Sequence, residues 1–300
     1  MSEQMGPFIN AKDLLETPDQ LRATMKKNGY LFLPGLLTRA VVGEVYDSIM
    51  NLCKEHEWAH DDGRAKEPVR LEGEDAFWEV YDPLQKLELF HGLAHRPELL
   101  NVIEILTQDT PFVHPRNIAR IAYPQAEHFT TPPHQDFVHI QGTAETYTCW
   151  FPLSDCPQHM GSLVVLAGSH QQDVLPVHRA TGAGGLGVDT GPLNLVWHGS
   201  DFRAGDVLFF HSHTVHKALP NRTKDTLRIS VDYRYQGVSQ PIVGDGLEPH
   251  YMRLSWDEIY EGWTQPELQY YWRDLGLKIA ERDRSYQENA VQPKGAAQMV

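Results

Sequence analysis

Gly205-Asp206-Val207-Leu208-Phe209-Phe210-His211-Ser212-His213-Thr214-Val215-His216 reads as a turn feeding an apolar strand that delivers three histidines within six residues. Pro220-Asn221 then reverses the chain, and Leu227-Arg228-Ile229-Ser230-Val231-Asp232-Tyr233 runs back as a second strand. Side chains alternate along a strand, so Arg228, Ser230 and Asp232 share one face, against Leu227, Ile229, Val231 and Tyr233 on the other. One of those faces must look into the interior.

Working outward, residues 117–123, 147–153, 162–166 and 194–197 have the same strand-like texture, broken by Gly, Pro and Asp turns. Many short strands punctuated in this way predict a sandwich or barrel. Earlier in the chain the apolar spacing changes to a helical period. Thr17-Pro18-Asp19 reads as a helix start and Asn28-Gly29 as its stop, followed by a strand at Tyr30–Leu33. Thr38 is placed to cap a helix reaching about His56, and residues 84–106 suit further helices, with Pro97 opening one. The expectation is a single α+β domain with a mainly β core. Its parts are a helical segment over 1–110, the core over about 111–240, a helical extension over 241–284 and a loose tail over 285–300. The glycine-rich stretch at 182–187 lacks the Lys-Ser/Thr of a phosphate loop and reads as a mobile loop near a site mouth.

Composition excludes some functions. A formal net charge of −14 argues against a nucleic-acid partner, although a local basic pocket can exist inside an acidic protein. The three cysteines, Cys53, Cys149 and Cys156, form neither a C-x-x-C pair nor a disulfide framework. There is no signal-like start and no apolar run long enough to span a membrane, so the expected setting is cytoplasmic.

His134-Gln135-Asp136 is an H-x-D pair. Along a strand its two outer residues point to the same side, and a third ligand from a neighbouring strand would complete a facial triad with open positions. With 16 histidines in 300 residues, an H-x-D pair arises about once by chance. His60-Asp61-Asp62 is such a decoy, in a charged stretch that reads as a solvated turn. Company further along the chain is what raises His134 and Asp136.

The order H-x-D, a G-D-V-L-F-F strand, a His, an Asn and then an Arg resembles the phytanoyl-CoA dioxygenase family. Trp150-Phe151-Pro152-Leu153 and the stretch from Gly161 to His170 (GSLVVLAGSH) support the resemblance. It covers about 111–236 strongly and 28–37 more weakly. Met160 and Ala167 depart from the family's usual Asn and Pro, which puts the local turn in question rather than the chemistry.

The resemblance implies a double-stranded β-helix of the jelly-roll or cupin-like kind, using iron(II), 2-oxoglutarate and O2. His134, Asp136 and His216 match the metal ligands, with His211 and His213 as rivals for the third place. Arg228 matches the arginine that grips the far carboxylate of 2-oxoglutarate, a role suited to a planar guanidinium. Trp150 matches an aromatic beside that cosubstrate, Asn117 takes the place of a polar neighbour, and Thr148 shares a face with Trp150. The implied reaction is hydroxylation of an aliphatic carbon of a small molecule, releasing succinate and CO2. The carboxylate at Asp136 favours hydroxylation over halogenation, while desaturation and ring formation stay open. His139, Arg120, Arg234 and Tyr233 are polar candidates for the substrate pocket, with the loop over 125–133 folding across it. Two other classes remain: a cupin-like metalloenzyme that does not use 2-oxoglutarate, and a non-catalytic binding relative.

Overall fold

The computed structural model describes residues 5–182 and 184–290. Two sheets face each other. The larger has the strand order Tyr30–Leu33, Val207–His211, Tyr147–Pro152, Arg228–Gly237, Pro111–Val113, and Ile118–Ala122 also pairs with the long strand Arg228–Gly237. All of these pairings are antiparallel. The smaller sheet runs Met5–Gly6, Trp197–His198, Leu163–Leu166, His216–Ala218. The expected mixed α+β fold with a jelly-roll core is what the chain forms.

Strand alternation sorts the side chains into three layers. On the larger sheet Leu31, Leu33, Cys149, Phe151, Val207, Phe209, Ile229, Val231, Tyr233 and Tyr235 point away from the smaller one and pack against the helices. Their neighbours Tyr30, Phe32, Trp150, Leu208 and Phe210 point inward, meeting Leu163 and Val165 from the smaller sheet. Val164, Leu166, Trp197 and Val215 cover the smaller sheet's outer face. Burial on both faces explains why these strands read as nearly continuous apolar runs. One end of the interior is filled by these aromatic rings. The other is left polar by Arg228, Ser230, Asp232, Arg234 and Gln236, which occupy the inward face of the long strand, and the site lies at that end.

The helices Pro18–Asn28, Arg39–Glu55, Asp75–Gln85, Glu88–Leu93 and Pro97–Thr107 form the outer layer. Thr38 caps the second as expected, accepting a hydrogen bond from Val41 N–H. Thr17 does not cap the first; its hydroxyl donates back to the Leu14 carbonyl, and Pro18 starts the helix alone. Gly29 ends that helix with a positive φ of 76°, and a Cβ there would lie 2.4 Å from His170 Nδ1.

Other expectations need correction. Residues 194–197 are not a strand: Asn194 is left-handed after the turn Gly191–Leu193, and pairing begins at Trp197–His198. The extension after residue 240 is not helical in any sustained way. It consists of single turns, one four-residue helix at Trp256–Ile259 and a parallel pair, Ile242–Val243 with Ile279–Ala280. It is held by packed rings, Trp256 with Tyr260 and Trp272, which need no helical period. The expected loose tail is ordered at its start. Asp283 and Gln141 exchange two hydrogen bonds, and Ser285–Glu288 forms a helical turn. Residues 291–300 lie outside the described residues, as does Ala183 of the glycine-rich loop.

At the two departures from the family pattern the local turn is intact. Met160 bridges Asn221, and the Ala167 N–H donates to the Val196 carbonyl, a bond that proline lacks the hydrogen to make. Gly161 has a φ of +92°, and a Cβ there would stand 2.9 Å from the Leu219 carbonyl oxygen.

Candidate active site

His134 and His216 exchange both backbone hydrogen bonds, each 3.0 Å, as a directly opposed antiparallel pair. That pairing sets both rings on the same face, with centroids 4.1 Å apart. The H-x-D segment is therefore an isolated bridge rather than part of a strand. After Gln135 the chain turns, and Asp136 stands at the start of the short helix Phe137–Ile140. Gln135 points the other way and ties down the chain by bonding the His213 carbonyl and the Leu175 N–H.

The ligand atoms of His134, Asp136 and His216 all lie within 4.8 Å of one another. His134 Nε2 is 3.7 Å from Asp136 Oδ1, and His216 Nε2 is 3.9 Å from the same oxygen. Each imidazole is oriented by its other nitrogen. His134 Nδ1 meets the Pro132 carbonyl at 2.8 Å and His216 Nδ1 the Thr214 carbonyl at 3.0 Å. A carbonyl accepts, so Nδ1 carries the hydrogen and Nε2 keeps its lone pair for a metal. The carboxylate is clamped as well: Thr148 donates to Oδ2, and Arg234 Nη2 lies 3.3 Å from Oδ1.

The protonation states suit metal binding. Burial alone would push the Asp136 carboxyl upward, but Arg234 and the two histidines outweigh it and hold the group well below its usual range. Burial, followed by the nearby His134, depresses His216 to about 3. The set is one carboxylate and two imidazoles on one side of a cavity. That fits the facial triad of a non-haem iron site with open positions, and no thiolate is present to favour zinc.

The rival histidines lie elsewhere. His213 stacks edge-on against Phe137, and His211 sits 3.8 Å from Glu145. Neither belongs to the ligand cluster.

A cavity of about 610 Å³ opens over the cluster. Arg120, Arg234 and His139, expected from the sequence, line it, together with Thr131, Gly184 and the turn carrying Asp245, Gly246, His250 and Tyr251. Tyr233 does not. It occupies the outward face of the long strand, and its hydroxyl donates to the Phe90 carbonyl among the helices. Arg116, Arg282 and Arg284 also line the cavity and were not anticipated. Arg116 follows the strand Pro111–Val113 in a connecting segment, and the other two fall at the end of the stretch that reads as helical extension, so local pattern gives no sign of them.

A second, smaller cavity of about 80 Å³ shares Glu72, Arg120 and Thr131 with the first and reaches Arg228 and Asn221. Arg228 is buried, bonds the Ser230 hydroxyl and lies over Trp150, with its guanidinium carbon 5.9 Å from the ring centre. Its Nε has no partner, and among the described residues no carboxylate lies within 4.0 Å of it. A buried guanidinium without a counter-ion is costly unless an anion completes it, which suits a cosubstrate carboxylate. Trp150 itself packs on Phe202, with ring centres 5.0 Å apart. Asn117 is placed differently from its expected role. Its amide meets His91 Nδ1 at 3.1 Å, because it stands one residue before the strand Ile118–Ala122, in step with the outward-facing Ala119 and Ile121, and lies in the helix–sheet layer.

The model of the phytanoyl-CoA dioxygenase (PhyH) family matches residues 25–230. The chain belongs to that family. Among curated proteins it is 25% identical over 267 residues to the 1-deoxypentalenic acid 11-beta-hydroxylase of Streptomyces exfoliatus, covering 83% of this chain and 92% of that one. The Streptomyces arenae enzyme of the same name is 27% identical over 269 residues, with the same coverage. Among solved structures, the epimerase SnoN in complex with Fe3+, alpha ketoglutarate and nogalamycin RO is similar at a TM-score of 0.56 and 21% identity, over 75% of this chain and 85% of that one. The carbocyclase SnoK is similar at 0.55 and 21%, over 83% and 94%. These two likenesses concern the fold. As a member of the PhyH family with a His-Asp-His cluster, the chain has the equipment of an iron- and 2-oxoglutarate-dependent oxygenase. Among the described residues no helix is long and apolar enough to cross a membrane.

Proposed function

We propose that this protein hydroxylates an aliphatic carbon of a small molecule, consuming 2-oxoglutarate and O2 and releasing succinate and CO2. The observation that carries the reading is the convergence of His134, Asp136 and His216 beside a 610 Å³ cavity that His134 and Asp136 line, a size suited to a small-molecule ligand. The relatives named as hydroxylases support it at low identity.

In this reading His134, Asp136 and His216 hold iron(II), which when bound supplies the oxidising chemistry of the family. The Pro132 and Thr214 carbonyls keep both imidazoles in the tautomer that presents Nε2. Thr148 and Arg234 fix the rotation of the carboxylate. Arg228 completes its unfilled hydrogen bonding with the distal carboxylate of 2-oxoglutarate, and Ser230 and Trp150 hold the guanidinium in place. His139, depressed to about 4 by burial and by His134, stays neutral at the cavity wall.

The test is an anaerobic titration of metal-free protein with iron(II) and 2-oxoglutarate, following the visible charge-transfer band of the chelate. A band that weakens in Arg228→Ala supports the assignment. Bound iron without any band rejects it.

A further inference from the structure

The chain as a whole carries a net charge of −14, yet the cavity beside the ligand cluster is lined by five arginines, Arg116, Arg120, Arg234, Arg282 and Arg284. Against them stand four carboxylates, Glu72, Asp136, Asp245 and Glu288. With Asp232 behind Arg120 the charges are close to balance, so what matters is which arginine is left without a partner.

The pairings show which charges are satisfied. Arg120 meets Glu72 at 2.7 Å and Asp232 at 3.5 Å, and Arg282 meets Asp245 at 2.7 Å. Arg234 meets Asp136, which is a metal ligand in the reading above. Arg116 is different. Its Nε bonds the Glu248 carbonyl, its Nη2 is buried without any partner, and among the described residues no carboxylate lies within 4.0 Å of it. Burial pushes this guanidinium below its ordinary value against the attraction of Asp245 and Glu248, and Arg234 and Arg282 add repulsion. An arginine held in that setting is short of one anion.

Its surroundings place it near the chemistry. Arg282 donates to the His139 carbonyl at 3.1 Å, and the His139 ring is 6.0 Å from that of His134. The segment that carries Arg282 and Arg284 is pinned by the reciprocal bonds between Asp283 and Gln141, so these charges are held against the cavity.

We propose that the substrate is a carboxylic acid whose carboxylate is held by Arg116, with Arg282 and Arg284 beside it. This rests on the oxygenase reading for the cavity's role. A planar guanidinium with a free edge matches a carboxylate's two oxygens. A phosphate monoester shares the oxyanion chemistry, and the phosphate arm of the experiment separates the two.

The experiment is isothermal titration calorimetry on protein saturated with zinc(II) and 2-oxoglutarate, so that the Arg228 position is filled. The probes are decanoate and cyclohexanecarboxylate, each against its primary amide, with decyl phosphate as a third arm. The acids are expected to bind, and the amides to bind at least about tenfold more weakly. Arg116→Gln should abolish the preference, Arg116→Lys should keep part of it, and Arg39→Gln, at a surface pair with Asp155, should leave it unchanged. Amides binding as well as acids, no acid binding at millimolar concentration, or a preference untouched in Arg116→Gln would overturn the proposal. Decyl phosphate binding more tightly than decanoate would overturn the choice of carboxylate. The charge-transfer titration reports separately: its failure alongside an Arg116-dependent acid preference would sink the oxygenase reading and leave the acid site standing.

Discussion

Arg234 Nη2 lies 3.3 Å from Asp136 Oδ1, the carboxylate oxygen that faces both His134 and His216. Thr148 holds the other oxygen, so the carboxylate is fixed at both ends. A ligand that can rotate freely spends part of its time turned away from the metal, and groups that hold it contribute to affinity indirectly. Thr148→Val removes one of the two holds without changing charge or shape greatly. Iron affinity is expected to fall about 10- to 100-fold, measured by competition with a chelator, while thermal stability changes little. Unchanged affinity would show that Arg234 alone suffices to orient Asp136.

Which histidine closes the triad is tested by metal content. His216→Ala removes a buried ligand and should leave the protein without retained iron after gel filtration. His213→Ala removes a ring packed on Phe137 at 4.8 Å and should retain the metal. Loss of iron in the second variant, with the fold intact by circular dichroism, would reverse the assignment.

Arg228 is buried over Trp150 with an unpartnered Nε. Arg228→Ala should weaken 2-oxoglutarate binding by about 10- to 100-fold, the worth of a charge-assisted hydrogen bond to a carboxylate, and leave iron retention alone. Titrating the charge-transfer band reads both quantities. An unchanged half-saturation point would remove Arg228 from the cosubstrate site.

Much of this arrangement was legible because single residues carry distinct physical demands. Gly29 and Gly161 mark backbone positions of positive φ, and the alternation across 227–233 divides core from interior face correctly once the helix layer is known. The sequence does not say which face is inward, which leaves Tyr233 among the pocket candidates and Arg234 only one of several, while the place of Asn117 rests on the resemblance alone. Asn221 shows what lies behind a motif. Its amide donates to the Ala122 and Thr226 carbonyls and its oxygen accepts from Thr223, fixing the turn that launches the strand beginning at Arg228. Three of the cavity's five arginines were not legible at all. Arg116, Arg282 and Arg284 sit in loops and turns whose positions depend on ring packing and on the Gln141 to Asp283 bonds, which leave no period in the sequence.

Asn117 has a consequence for stability. Its amide donates to His91 Nδ1 at 3.1 Å, while His91 Nε2 meets the Gln85 carbonyl at 2.9 Å. Those two bonds together require the neutral ring with its hydrogen on Nε2, because a second proton on Nδ1 would face the amide hydrogens. Burial accordingly depresses His91 to about 4. The unfolded ring titrates near 6.5, so as pH falls below that value the unfolded chain takes up a proton that the folded one refuses. This group therefore costs stability progressively from about pH 6.5 down to about 4, at up to roughly 1.4 kcal/mol per pH unit, and the loss levels off once the folded ring is protonated. Chemical denaturation at pH 7.5 and 5.0 should show the wild type losing stability on acidification. His91→Gln, which can keep a bond to Asn117 and has nothing to protonate, should be less stable at pH 7.5 but lose less between the two values. An equal loss in both proteins would mean that other groups govern the acid response.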